Sequence, residues 1–300
     1  MPSPAMDDLL ELLHDRQRAA AGQPAETVAE TRAGFAPAGL VHPIPDDVRV
    51  TAVAAGGVEA HWLDAPGVDA GRVLVFLHGG GFQLGSLASD GELAARLGRP
   101  GRMRVLFPEY RLAPEHPFPA AIDDVLAVWR WLRDEQGVDA DSIAVVGDSA
   151  GGGLTVALLV ATRDAGGELP AAVVLMSPTV DLTSSGSSMT DRVDQDPIST
   201  PDLLRQLASD YLAGADPTTP LASPLFASLA GLPPMLVQVG TADLLFSDAE
   251  RLTKAAAAAG VDVRLEVGEG LPHVYQLMLG TPEAADATER IGEFLRERVR

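Results

Sequence analysis

Cysteine is absent from the 300 residues, which removes thiol nucleophiles, disulfide frameworks and thiolate metal sites together. Asparagine is absent as well, and Lys254 is the one lysine; that bias points to codon composition rather than to chemistry. Positive charge is scarce, since 22 Lys and Arg stand against 42 Asp and Glu and leave a net charge of −20. A field of that sign repels nucleic acid and anionic membrane surfaces, so neither is an expected partner, and a small neutral substrate is. Long apolar runs are missing too. The most apolar stretch, around Leu154 to Ala161, falls well short of the roughly twenty residues a membrane span needs. The first residues, Met1-Pro2-Ser3-Pro4-Ala5-Met6-Asp7-Asp8, are acidic and proline-punctuated and lack the basic start and apolar core of a secretory signal. A cytoplasmic protein is the expectation. No repeat or low-complexity linker divides the chain, whose length suits one large domain with a smaller attached lid.

What is present is organised around Val145-Val146-Gly147-Asp148-Ser149-Ala150-Gly151-Gly152-Gly153. An apolar run stops at a glycine, turns through one serine and re-emerges among glycines, the pattern of a nucleophile elbow. Glycine is required on either side of such a serine because side chains there meet neighbouring backbone. The flanks fit: Ser142–Val146 reads as a buried strand, and Leu154–Ala161 as an apolar helix packed on a sheet.

The chain in order predicts two short N-terminal helices, one carrying Leu9, Leu10, Leu12 and Leu13 and one over about Pro24 to Ala33. A hairpin follows, with strands at Val48–Val53 and Val58–Leu63 around Gly56-Gly57. Strands at Arg72–Leu77, Arg104–Phe107, Ala171–Met176, Met235–Val239 and Val261–Val267 then alternate with helical patterns, including the face made by Ile122, Val125, Leu126, Trp129 and Leu132. Ser247 and Glu250 have the spacing of a capping box that opens a helix, and Ile291, Phe294 and Leu295 face inward on the last one. This alternation implies a mostly parallel sheet with helices on both faces. The long gap from Met176 to Met235 holds a flexible polar stretch and a helix with Thr200 as N-cap, Pro201 in its first turn, and Leu204, Leu207 and Tyr211 on one face. An insertion of that length is a lid or binding element. The expected layout is therefore residues 1–45 as the first part of a cap, 182–220 as its second part, and 46–181 with 221–300 as the catalytic domain.

A serine hydroxyl needs a base, and the base needs a group that holds its tautomer. In sheets of this type the order is nucleophile, acid, histidine, and His273 is the only histidine downstream of Ser149. It lies in Gly268–His273, read as a loop past the strand ending at Val267. Asp243, a short Gly240-Thr241-Ala242 turn beyond the strand ending at Val239, is the acid candidate. Asp248 is its rival, but its place in a first helical turn is explained by the helix dipole, and the aspartates of the insertion are poorer candidates. Donors for a developing oxyanion are expected from Gly80, Gly81 and Ala150, because His78-Gly79-Gly80-Gly81-Phe82 also follows a buried strand directly. Glu115 and His116 lack a third ligand; no metal and no cofactor is assigned.

His78-Gly79-Gly80-Gly81-Phe82, Tyr110-Arg111-Leu112-Ala113-Pro114-Glu115 and Gly147-Asp148-Ser149-Ala150-Gly151-Gly152, spaced in this order, resemble the hormone-sensitive-lipase family of α/β-hydrolases, the bacterial family IV esterases. The resemblance spans nearly the whole chain. It implies an α/β-hydrolase fold with a two-part cap, Ser149, Asp243 and His273 as the triad, and Gly80, Gly81 and Ala150 as the oxyanion hole. It also implies hydrolysis of short- to medium-chain carboxylic esters, and commonly a homodimer. Gly270-Leu271-Pro272-His273-Val274-Tyr275 is similar to the branch with short-chain esterases and monoterpene lactone hydrolases, which keeps a lactone substrate open. A ligand-binding receptor of the same fold is the remaining alternative, and the presence of His273 argues against it. Three departures stand out: Phe246-Ser247-Asp248 replaces Arg-Asp-Glu, removing a charged partner near the acid; Gly153 replaces asparagine; Val274-Tyr275 replaces Gly-Phe. His78, Tyr110 and Arg111 are read as scaffold.

Overall fold

The computed structural model describes residues 1–20, 22, 27–34 and 41–300. Two helices come first, α1 (Pro4–Ala20) and α2 (Val28–Gly34); Pro24 to Glu26 of the expected second helix lie outside the described residues. The hairpin follows as β1 (Arg49–Ala55) and β2 (Val58–Asp64), antiparallel and in register from Arg49↔Asp64 to Ala55↔Val58. Then come β3 (Asp69–Leu77), α3 (Leu87–Gly101), β4 (Met103–Pro108), α4 (Ala120–Arg130), β5 (Ile143–Asp148), α5 (Ala150–Asp164) and β6 (Ala172–Met176). After the insertion, with α6 (Ser188–Asp191) and α7 (Pro201–Leu212), the chain closes with β7 (Met235–Ala242), α8 (Phe246–Ala258), β8 (Val263–Pro272) and α9 (Pro282–Arg298).

The strands form one eight-stranded sheet in the order β1-β2-β4-β3-β5-β6-β7-β8. The β1–β2 and β2–β4 pairs are antiparallel and every pair from β4–β3 onward is parallel. This is the α/β-hydrolase architecture, and it explains why the inner strands read as unbroken apolar runs: helices cover both faces. On β3 the side chains alternate between two cores, Val73, Val75 and Leu77 toward the α4 and α5 side, Leu74 and Phe76 toward the α3 and α9 side.

A third, smaller cluster was not foreseen. Met6 and Leu13 of α1 pack with Leu271, Tyr275 and Met278, the segment on either side of His273. Leu12, expected on the apolar face, is instead 40% exposed, and Met6 takes the buried place. The ends of β7 and β8 also differ from expectation. Both strands continue past the glycines, to Ala242 and Pro272, with a register shift between Gly240 and Ala242. The chains approach so closely that a Cβ on Gly240 would collide with the Leu271 carbonyl. His273 therefore stands directly at a strand end rather than in a loop, and Asp243, expected at a strand end, follows β7 with no turn between.

Candidate active site

Ser149 lies between β5 and α5 with φ 49° and ψ −117°, a strained conformation for a residue with a side chain. It is held there from three sides. Its N–H donates to the Met176 carbonyl at 2.8 Å, and its carbonyl accepts from Thr179 N at 2.9 Å and Gly152 N at 3.0 Å. A side chain on Gly151 would run into the Leu77 and His78 carbonyls, and one on Gly147 into the Gly151 carbonyl, so both glycines are needed for the turn to close. Gly153, where asparagine was the family expectation, faces the Thr179 carbonyl in the same way.

The structure brings the three expected side chains together. His273 Nε2 lies 3.0 Å from Ser149 Oγ, and His273 Nδ1 lies 3.2 and 3.1 Å from the two oxygens of Asp243. Asp243 is fully buried and also accepts from Leu245 N at 2.8 Å. Burial alone would lower the His273 pKa, but Asp243, with Asp196 and Asp148 behind it, more than offsets this and raises it to about 9. A carboxylate that receives Nδ1–H leaves the Nε2 lone pair facing the serine hydroxyl.

The glycine loop turns beside this pair with Gly80 at φ 101° and Gly81 at φ 62°. Ala150, the first residue of α5, carries an N–H with no partner inside its own helix. Beneath the loop, His78 is fully buried, stacked on Tyr110 at 4.3 Å, with Nδ1 2.8 Å from the Gly79 carbonyl; Tyr110 donates to the His78 carbonyl at 2.7 Å. Burial pushes the His78 imidazole down from its ordinary value, so it stays neutral and serves as scaffold. Arg111 is likewise structural, forked onto Asp124 at 2.6 to 3.0 Å. Glu115 pairs with Arg32 of α2 at 2.7 and 2.8 Å, and that guanidinium holds its carboxyl at about 2. No group of three His, Cys, Asp or Glu that could hold a metal exists among the described residues.

A cavity of about 220 Å3 opens over Ser149 and His273. Its walls are the glycine loop, the exit of β6 around Thr179–Leu182, and the insertion, which contributes Met189, Ile198, Leu203, Leu204, Leu207 and Ala208. The insertion is fastened to the glycine loop: Phe82 stacks on Tyr211 at 3.8 Å, and Gln83 Nε2 donates to Asp210 at 3.1 Å.

Two local expectations change. Thr200 caps α7 through Leu203 N as foreseen, but Ser247 and Glu250 form no capping box. Leu245 is the N-cap of α8 and has no side-chain cap bond, and Ser247 instead exchanges bonds with Ser188 of the insertion, accepting from its N–H at 3.0 Å and donating its own N–H to Ser188 Oγ at 3.1 Å. Asp248 does more than favour a helix dipole. It is buried and accepts from Val180 N at 2.9 Å and Asp181 N at 3.0 Å, tying α8 to the β6 exit, and burial pushes its carboxyl up to about 7. Asp90, Asp148 and Asp196 were missed by sequence reasoning. Asp148 is buried, its carboxyl pushed well up by burial and by Asp90, with Oδ1 lacking a partner among the described residues. No residue pattern marks these three among forty-two acidic side chains; only their burial does.

A family model described as the alpha/beta hydrolase fold matches residues 74–277. An acetyl-hydrolase of Streptomyces hygroscopicus is 44% identical over 255 residues, covering 84% of this chain and 83% of that protein. The crystal structure of an esterase from the bacterial hormone-sensitive lipase family is 42% identical and superposes with a TM-score of 0.94 over 100% of both chains. The chain belongs to the bacterial hormone-sensitive-lipase family of α/β-hydrolases. It is an ester-bond hydrolase. A carboxylesterase of Mycobacterium tuberculosis, 37% identical over 229 residues and covering 73% of this chain and 71% of that protein, belongs to the same set of relatives. No helix among the described residues is long and apolar enough to cross a membrane.

Proposed function

We propose that this member of the family hydrolyses small carboxylic esters through an acyl-enzyme formed on Ser149. The observation that carries the proposal is the continuous path from Ser149 Oγ through His273 to buried Asp243 at the floor of the cavity. His273 Nε2 takes the hydroxyl proton as Ser149 Oγ attacks the ester carbonyl, and Asp243 holds Nδ1–H and stabilises the imidazolium. The N–H groups of Gly80, Gly81 and Ala150 receive the oxyanion from two loops. As the tetrahedral intermediate collapses, His273 passes the proton to the leaving alkoxide. Water then attacks the acyl-enzyme with the same base, releasing the acid and restoring Ser149.

A cavity of about 220 Å3 is below the roughly 300 Å3 at which drug-sized ligand pockets begin, which supports short- to medium-chain acyl groups. The N-terminal helices and residues 182–220 act as a cap that closes this space. The test is a series of p-nitrophenyl esters from acetate to palmitate with wild-type and Ser149→Ala protein, and one seven-membered lactone in the same panel. Turnover is expected to peak at short chains and to fall by several orders of magnitude in the variant, because triad members act as a unit. Unchanged turnover by Ser149→Ala would sink the proposal, and faster opening of the lactone would move the substrate class to cyclic esters.

A further inference from the structure

Asp196 belongs to the insertion, well before the acid candidate in the chain, yet it is fully buried against it. Its two carboxyl oxygens are divided between two segments. Oδ1 accepts from Ile198 N and Ser199 N, both at 2.8 Å, and so shapes its own loop. Oδ2 accepts from Leu244 N at 2.9 Å, the amide immediately following Asp243. The Leu244 carbonyl is held from the same side by Ser188 Oγ at 2.5 Å. From above, Gln17 of α1 donates to the carbonyls of Asp196 and Ser199 at 3.1 and 3.3 Å. The peptide that carries the acid is thus gripped by the insertion, and the insertion in turn by the first helix.

We propose that Asp196 is a positioning residue for the hydrolysis, fixing the Asp243 peptide and adding a second negative charge behind the Asp243–His273 pair. This rests on the roles proposed above for Asp243 and His273. A carboxylate suits the place because both of its oxygens must accept N–H groups; an amide would turn a donor toward one of them. The charged groups facing His273 are Asp243, Asp196 and Asp148, and each raises its proton affinity. Asp196 is itself pushed up to about 6, by burial first and then by Asp243, with the imidazolium and the Leu244 and Ser199 amides pulling the other way.

The test compares Asp196→Asn with Gln17→Ala on p-nitrophenyl butyrate across pH. Gln17→Ala loosens the insertion but leaves the carboxylate in place. In Asp196→Asn, kcat is expected to fall about tenfold with KM within twofold, and the acidic limb of kcat/KM to move to lower pH by at least half a unit, as befits loss of a nearby negative charge. In Gln17→Ala the melting temperature falls and the limb stays where it is. If Asp196→Asn leaves both kcat and the limb unchanged, or if Gln17→Ala moves the limb equally, Asp196 is no more than a structural tie. Should Asp196→Asn fail to fold, the His273 ring proton in the wild-type protein is followed by NMR. A second inflection near pH 6, from Asp196, supports the proposal and a single inflection overturns it. Loss of activity in wild-type protein or retention in Ser149→Ala would instead strike the underlying triad reading.

Discussion

Ser149 is held in a conformation that its own side chain disfavours, and the strain is sustained by backbone hydrogen bonds to its N–H and carbonyl and by two glycines. In the proposed mechanism its partner His273 carries the pH dependence. A raised His273 pKa means that the neutral base becomes available only as pH rises, so kcat/KM is expected to climb through a limb well above the ordinary 6.5, toward about 9. Stability runs the other way. His273 binds its proton more tightly folded than unfolded, so its contribution is complete below 6.5 and is lost as pH rises through the folded value. Asp248 adds the same sign: its folded carboxyl, at about 7, keeps a proton that the unfolded chain releases near 3.8, so stability declines across that window. Calorimetry at pH 6 and pH 9 is expected to give the higher melting temperature at pH 6, while p-nitrophenyl butyrate turnover is higher at pH 9. An acidic limb at or below 6.5 would contradict this reading of His273. The three residues were legible in the sequence because chain order and a strand end single out one histidine after the serine. Asp196 was not, since nothing in Gln195-Asp196-Pro197 distinguishes it from the exposed aspartates around it.

At the level of elements, the site depends on helices that are far away in the chain. Arg32 of α2 donates to the Gln83 and Ala113 carbonyls, both at 2.8 Å, and pairs with Glu115. One side chain thus joins the N-terminal segment to the glycine loop and to the Tyr110–Glu115 turn. Arg32→Ala is expected to cost about 1 kcal/mol, or a fall of roughly 2 °C in melting temperature, because the pair with Glu115 is exposed and only the carbonyl bonds contribute substantially. The same variant lowers kcat/KM on short esters by freeing the loop that carries Gly80 and Gly81; unchanged kinetics would show that the loop holds itself. The helix boundaries themselves were readable where a local device sets them, as with Thr200 and Pro201. They were misread where a distant segment supplies the partner, as at Ser247, whose hydroxyl is taken by Ser188.

Across the whole molecule, the charge of −20 continues into the cavity. Asp90, Asp148, Asp181 and Asp248 line it, and no lysine or arginine does so among the described residues; burial raises Asp90 to about 6 and Asp248 to about 7, so the wall carries its charge at pH 9, where the two esters are compared. p-Nitrophenyl hemisuccinate, close in size to the butyrate but anionic, is expected to react with about tenfold lower kcat/KM, and the gap to narrow as salt screens the field. Equal rates for the two esters at low salt would show that the acidic wall does not govern entry. The sequence by itself determined the sheet and the elbow and singled out Ser149, Asp243 and His273 as the proposed triad, because these follow from period, glycine placement and chain order, all of which are local. Only the tertiary structure decided that α1 covers the His273 segment, that Asp196 reaches the Asp243 peptide from the insertion, and that β7 and β8 run on, with a shift in register, as far as Ala242 and Pro272. Those contacts join segments dozens to hundreds of residues apart, and their energies come from burial and hydrogen bonding that exist only once the chain has packed.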